Sequence, residues 1–126
     1  MYDNFELCLH QVRVILTNVA EYGKASYVIH QNPLKDKGLT SDKEWFSTKA
    51  HWECIAKGHL SKYILKKQRD YYVLTPEGQK LYNKLGPVDL KDPDTYKKTY
   101  FFTKGKNLQY QIDQIKECFK LAEAYI

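Results

Sequence analysis

The chain is poor in the residues that most often carry recognisable chemistry. Its three cysteines, Cys8, Cys54 and Cys118, are odd in number, widely spaced and include no CxxC pair. Neither a disulfide framework nor a zinc ribbon is suggested, and reduced, partly buried thiols are the plain expectation. His51, Cys54 and His59 come nearest to a ligand cluster. Their spacing fits no standard site, and zinc needs a full ligand set with supporting partners, so no metal is expected. Only six glycines are present, none forms a phosphate-cradling loop, and neither GxSxG nor HExxH occurs. No catalytic residue, no cofactor and no enzymatic activity are expected on these grounds. A Cys–His pair drawn from distant residues would leave no motif, and nothing in the sequence asks for one. No stretch approaches the roughly 20 apolar residues that cross a bilayer. The start, MYDNFELCLHQ, lacks the basic opening and unbroken apolar run of a secretion signal. The expectation is a soluble, cytoplasmic protein with no membrane partner.

What remains is a globular composition. The 126 residues are 43% hydrophobic and 28% charged, which suits one domain that buries its core without staples. Eleven tyrosines bring the aromatic share to 14%; tyrosine suits half-buried surfaces and interfaces, since its ring is apolar and its hydroxyl can stay wet. The formal charge of +5 permits a polyanionic partner, and where the charge sits decides more than its sum.

Helical stripes bracket the chain. Residues 3–22 carry Phe5, Leu9, Val12, Leu16 and Val19 at alternating spacings of four and three, widened by Cys8 and Ile15, and Gly23 is a natural stop. Residues 107–125 repeat the pattern with Leu108, Ile112, Ile115, Phe119 and Ala122. Between them, 25–31 reads as either a two-turn helix or a strand, ended by Asn32-Pro33. Ser41-Asp42-Lys43-Glu44 has the capping-box form, so a helix is expected over 41–57. Its apolar face would hold Trp45, Trp52, Ile55 and Ala56, with Lys43, Ser47, Lys49, Glu53 and Lys57 mostly opposite. Two runs with strand character, 62–66 and 71–74, flank a polar tip of Lys67, Gln68, Arg69 and Asp70. In the first run Tyr63 and Leu65 alternate with Lys62, Ile64 and Lys66. Thr75-Pro76-Glu77-Gly78 then opens a helix that buries Leu81 and Leu85 and ends at Gly86-Pro87. Residues 88–106 read as irregular, although Asp92-Pro93-Asp94 could cap a short helix. No internal repeat or low-complexity segment is present.

The basic hairpin is the most informative stretch. Lys62, Lys66, Lys67 and Arg69 cluster in eight residues with Asp70 as the single acid. An exposed tip of this kind offers its charges to phosphate. The charges alone fit equally well a solvated hairpin whose lysines discourage edge pairing.

The stretch 59–85, HLSKYILKKQRDYYVLTPEGQKLYNKL, resembles the C-terminal half of winged helix-turn-helix domains, as in MarR-like, PadR-like and ArsR-like transcription regulators. In such domains a glycine ends the recognition helix, a strand, a basic wing and a second strand follow, and Leu-Thr-Pro-x-Gly opens the next helix. Here the glycine is Gly58, followed by His59 and Leu60, and the motif is Leu74 to Gly78. The match covers about a quarter of the chain. It implies a mainly α fold with a small two-stranded antiparallel wing, 62–74, and a long C-terminal helix, all in one domain, 1–126. It implies that 41–57 contains the recognition helix. Lys43, Ser47, Thr48, Lys49 and His51 would then lie near DNA, and Lys62, Lys66, Lys67 and Arg69 would hold the flanking backbone. The chain departs from the family at 32–40, which is longer than the usual turn of about three to four residues. Either the first helix of the motif lies inside that stretch or the motif is loosened.

The expected function is sequence-specific binding of double-stranded DNA as a dimeric transcription regulator. Helices 1–22 and 107–125 would form the dimer, through Phe5, Leu9, Val12, Leu16, Leu108, Ile112, Ile115 and Phe119, because a four-three stripe is built to meet another helix at a shallow angle. The partner of each stripe could also be the other one. An adaptor for other proteins, or the DNA-binding part of a replication or plasmid-partition system, are the alternatives. The aromatic and lysine-rich YKKTYFFTKGK, 96–106, could stack on bases but reads better as a linker packed on the subunit.

Overall fold

The computed structural model describes residues 3–23, 49–69, 71–90 and 92–125. The ambiguous element at 25–31, the connection 32–40, the capping box at Ser41 and the side chain of Trp45 lie outside these residues. The described chain runs α1 (Asn4–Tyr22), α2 (Lys49–Ala56), β1 (Ile64–Gln68), β2 (Tyr71–Leu74), α3 (Pro76–Leu85), α4 (Pro93–Thr103) and α5 (Leu108–Tyr125). It is mainly helical, with one two-stranded antiparallel sheet and a long last helix, a winged-helix-like layout. Among the described residues no helix is long and apolar enough to cross a membrane.

α1 is the axis of the fold. Asp3 caps it, accepting from the Glu6 N–H at 2.7 Å, and Gly23 ends it with φ at +67°, a conformation that glycine adopts without strain. Nearly every residue from His10 to Val19 is buried, because α5, α4, β2 and α3 surround the helix. Val12, Ile15, Leu16, Ile112, Ile115 and Phe119 belong to one cluster. The two four-three stripes therefore meet within the subunit. This corrects the dimer assignment of Val12, Leu16, Ile112, Ile115 and Phe119, which are buried, and of Leu9 and Leu108, which pack against the same core. Of the expected interface residues, Phe5 alone is exposed, at 41%, with its ring edge-on to Tyr125 at 5.3 Å. A stripe of this spacing records that a helix is met, not which molecule supplies it.

Side-by-side packing of α1 and α5 brings Cys8 and Cys118 to a Cα–Cα distance of 5.2 Å, and they form a disulfide. The expectation of three reduced thiols is corrected for this pair. Cys54 is the free cysteine, buried, and burial pushes its thiol up to about 12.

The 88–106 stretch, expected to be irregular apart from a short helix that Asp92-Pro93-Asp94 could cap, contains the 11-residue helix α4. Asp92 caps it and Pro93 occupies its first turn. Among its described side chains, Thr95, Thr99, Phe102 and Thr103 are buried. Those hydroxyls donate to carbonyl oxygens of Asp89, Thr95 and Thr99 at 2.8, 3.2 and 3.0 Å. A polar stripe satisfied by the backbone of the helix and of the turn before it leaves no apolar period to read.

Candidate nucleic-acid interface

The hairpin is clamped at its base. Thr75 caps α3: its Oγ1 accepts from the Gly78 N–H at 3.0 Å and donates to the Lys62 carbonyl at 2.5 Å. The Thr75 N–H donates to the Tyr63 carbonyl at 2.9 Å. Gly78 passes so close to Tyr63 that a Cβ would overlap its backbone. The Leu-Thr-Pro-Glu-Gly motif thus has a structural cause: it seats the start of α3 on the strand entering the wing. On the far side, the Tyr72 N–H donates to the Gly23 carbonyl at 2.9 Å, and the Tyr71 ring lies over Gly23. The hairpin is tied to the end of α1 as well as to α3.

Strand pairing aligns Ile64 with Leu74, Leu65 with Val73 and Lys66 with Tyr72, with a bulge between Lys66 and Gln68. Ile64 faces the core and Leu65 is 50% exposed. This reverses the expected alternation, because Tyr63 is buried from the turn that precedes the strand. Lys66, Lys67, Gln68 and Arg69 are all exposed. Among the described residues, Lys66, Lys67 and Arg69 form no ion pair.

Lys62 differs. Its Nζ lies 2.5 Å from Glu123 Oε1 on α5, and the Tyr63 hydroxyl donates to Glu123 Oε2. Lys62 and Tyr63 together hold the Glu123 carboxyl below the usual range. Burial, and then Glu123, push the Tyr63 phenol up. Lys62 belongs to the tie between wing base and last helix more than to the charged tip.

α2 presents Lys49, Trp52 and Ala56 outward and buries Ala50, His51, Cys54 and Ile55 against α5. His51, expected near DNA, is 2% exposed. Its Nε2 lies 2.8 Å from Gln11 Oε1 on α1, and burial pulls its pKa down to about 3. A neutral ring in the core is the physical reading, and the assignment of His51 is corrected. Glu53 is also buried, paired with Lys57 at 2.9 Å. Trp52, expected on the buried face, is 44% exposed. Sequence reasoning missed it because indole counts as apolar. The spacing of Ala50, Cys54 and Ile55 was the available signal for the true inner face. Lys49 is exposed as expected, and Lys43, Ser47 and Thr48 lie outside the described residues.

The aromatic and lysine-rich stretch before α5 packs on its own subunit. Lys104 sits 5.7 Å from the Tyr100 ring centre, and Lys106 sits over Phe102 and Tyr110 at 4.8 and 5.5 Å. Among the described residues no three His, Cys, Asp or Glu side chains converge as metal ligands. The chain matches no protein-family model, no curated protein and no solved structure.

Proposed function

We propose that this chain binds double-stranded DNA and acts as a transcription regulator. The observation that carries the reading is the wing tip: Lys66, Lys67 and Arg69 stand exposed, without ion-pair partners among the described residues, on a hairpin tied to α1, α3 and α5. Exposed cations on a fixed support can track a phosphate backbone, and each phosphate neutralised releases counterions. Lys49 and Trp52 on the outer side of α2 supply a second contact, a cation for phosphate or a base edge and a large ring for apolar contact. A homodimer does not use the α1–α5 seam, which is internal; a two-fold partner would have to meet other residues.

Leu65 and Tyr71, 50% and 47% exposed on the hairpin, favour a second reading as a protein-interaction adaptor, since apolar groups on a strand suit a protein partner better than phosphate. Selection of bound duplexes from a random pool separates the two. The DNA reading expects an enriched consensus held at about 10 nM or tighter. It also expects that changing Lys66, Lys67 and Arg69 together to Gln lowers the slope of log affinity against log salt by up to about 2.7, for three phosphates. No enrichment, or an unchanged slope, would sink it.

A further inference from the structure

We propose that the groove between α1, α4 and α5 binds a small amphiphilic carboxylate, with its head on Lys106 and its apolar body between Phe5, Phe101, Tyr110 and Leu121. The cavity has a volume of about 420 Å³, and Lys106 is the one charged residue among the described residues that line it. This is in the range of pockets that hold small organic ligands, which combine an apolar lining with few polar groups. Phe5, Phe101, Tyr110 and Leu121 are all exposed large hydrophobics, and this cavity brings them together.

Lys106 supplies the reason for an anion. Its ammonium lies over two rings and forms no ion pair among the described residues. Partial burial lowers its pKa, so the charged form is held at a cost that a bound anion would remove. Its backbone is fixed: Lys106 N–H donates to the Thr103 carbonyl at 3.2 Å, and Gln111 Nε2 donates to the Lys106 carbonyl at 2.9 Å. A single ammonium, with no guanidinium or second cation among the described residues that line the wall, suits a singly charged carboxylate better than a phosphate, which draws several donors. The amides of Asn4 and Gln114 also line the cavity and can complete the head group's hydrogen bonds. The proposal stands independently of the DNA reading.

The test compares decanoate with decanol, both below their aggregation limits, on the full chain. The expected result is saturable binding of decanoate, about tenfold or more tighter than decanol, as one partly buried charge-assisted contact provides. Lys106→Met should remove that preference while leaving decanol affinity in place, and Lys106→Arg should keep it. Amide shifts in the NMR spectrum should concentrate at Phe101, Tyr110 and Leu121. Where Lys106→Met fails to fold, the unmodified chain still decides: decanoate affinity should fall at alkaline pH as Lys106 loses its proton, and decanol affinity should not. No saturable binding, equal affinity for the two ligands, a preference that survives Lys106→Met, or shifts elsewhere would overturn the proposal. So would a concentration-dependent dimer that covers Tyr110 and Leu121 with no carboxylate preference, which would assign the groove to a second copy.

Discussion

Gly78 lies so close to Tyr63 that a Cβ built on it would stand 2.1 Å from the Tyr63 carbonyl oxygen. The neighbour is backbone, already held by the Thr75 N–H, so it cannot swing aside as a side chain would. Gly78→Ala therefore sets two effects against each other. Helix propensity favours alanine by up to about 1 kcal/mol, while forcing an atom into a packed site costs about 1–3 kcal/mol and more where backbone must move. Net destabilisation of about 2 kcal/mol is expected, read as a lower denaturant midpoint with an unchanged m-value. A stabilised variant would show that α3 does not approach the wing base this closely.

The two neighbours on α2, His51 and Trp52, should behave in different ways. Trp52→Ala removes a ring that is 44% exposed and should lower stability by about 1–2 kcal/mol, less than His51→Ala, while weakening duplex binding several-fold. His51→Ala empties a core position and leaves Gln11 without its partner, at a cost of about 2–4 kcal/mol. Thermal or chemical denaturation, run beside a binding titration, separates the pair. Trp52→Ala that binds duplex like the parent would remove α2 from the DNA contact surface.

The elements that could be read from sequence are those whose ends carry their own signals. α1 stops at Gly23, and α3 starts at Thr75-Pro76 and ends at Gly86, where the structure has its caps. β2 spans the expected residues, and β1 is displaced by two, to Ile64–Gln68, because Lys62 and Tyr63 are drawn into the turn that Thr75 and Glu123 hold. The start of α4 was legible at Asp92-Pro93, where the structure has its cap, but the rest of the helix was hidden because its inner face is largely threonine. The Cys8–Cys118 bond was hidden because it depends on α1 and α5 crossing, 110 residues apart in sequence. In the site, the wing tip was legible as charge, whereas the inner side of α2 was not. His51 is polar and buried, Trp52 is apolar and exposed, and hydropathy ranks both the wrong way.

The disulfide makes a countable prediction. Chain denatured without reductant should titrate one thiol, Cys54, and reduced chain should titrate three. Reduction, or Cys8→Ser, should lower stability by about 2–4 kcal/mol. Loop-closure entropy for a bridge over this separation sets an upper figure of about 4.7 kcal/mol. Three thiols before reduction, with no shift in the denaturation midpoint, would show that α1 and α5 are held by packing alone.

Stability should also fall on mild acidification, and the two buried histidines set the window. His10 Nε2 lies 2.9 Å from the Thr95 carbonyl, an acceptor only, so that nitrogen carries the proton of a neutral ring. Burial lowers His10 to about 4, with Lys98 and Arg13 adding to the shift and Thr95 and Asp94 opposing it. His51 falls to about 3, by burial and by the nearness of His10. In the unfolded chain both revert to about 6.5. Below that pH the unfolded state takes up protons that the folded state does not, so stability is complete above 6.5 and declines as pH falls toward 4. Each histidine contributes up to about 1.36 kcal/mol per pH unit in that window. Glu123, whose pKa is also lowered, acts only below the usual carboxylate range and does not account for losses above pH 5. Denaturant midpoints should therefore stay level from pH 7.5 to about 7 and drop from there to pH 5, and His10→Gln or His51→Gln should flatten the slope whatever it does to the absolute midpoint. A flat profile in the unmodified chain would mean that neither ring is buried as a neutral group.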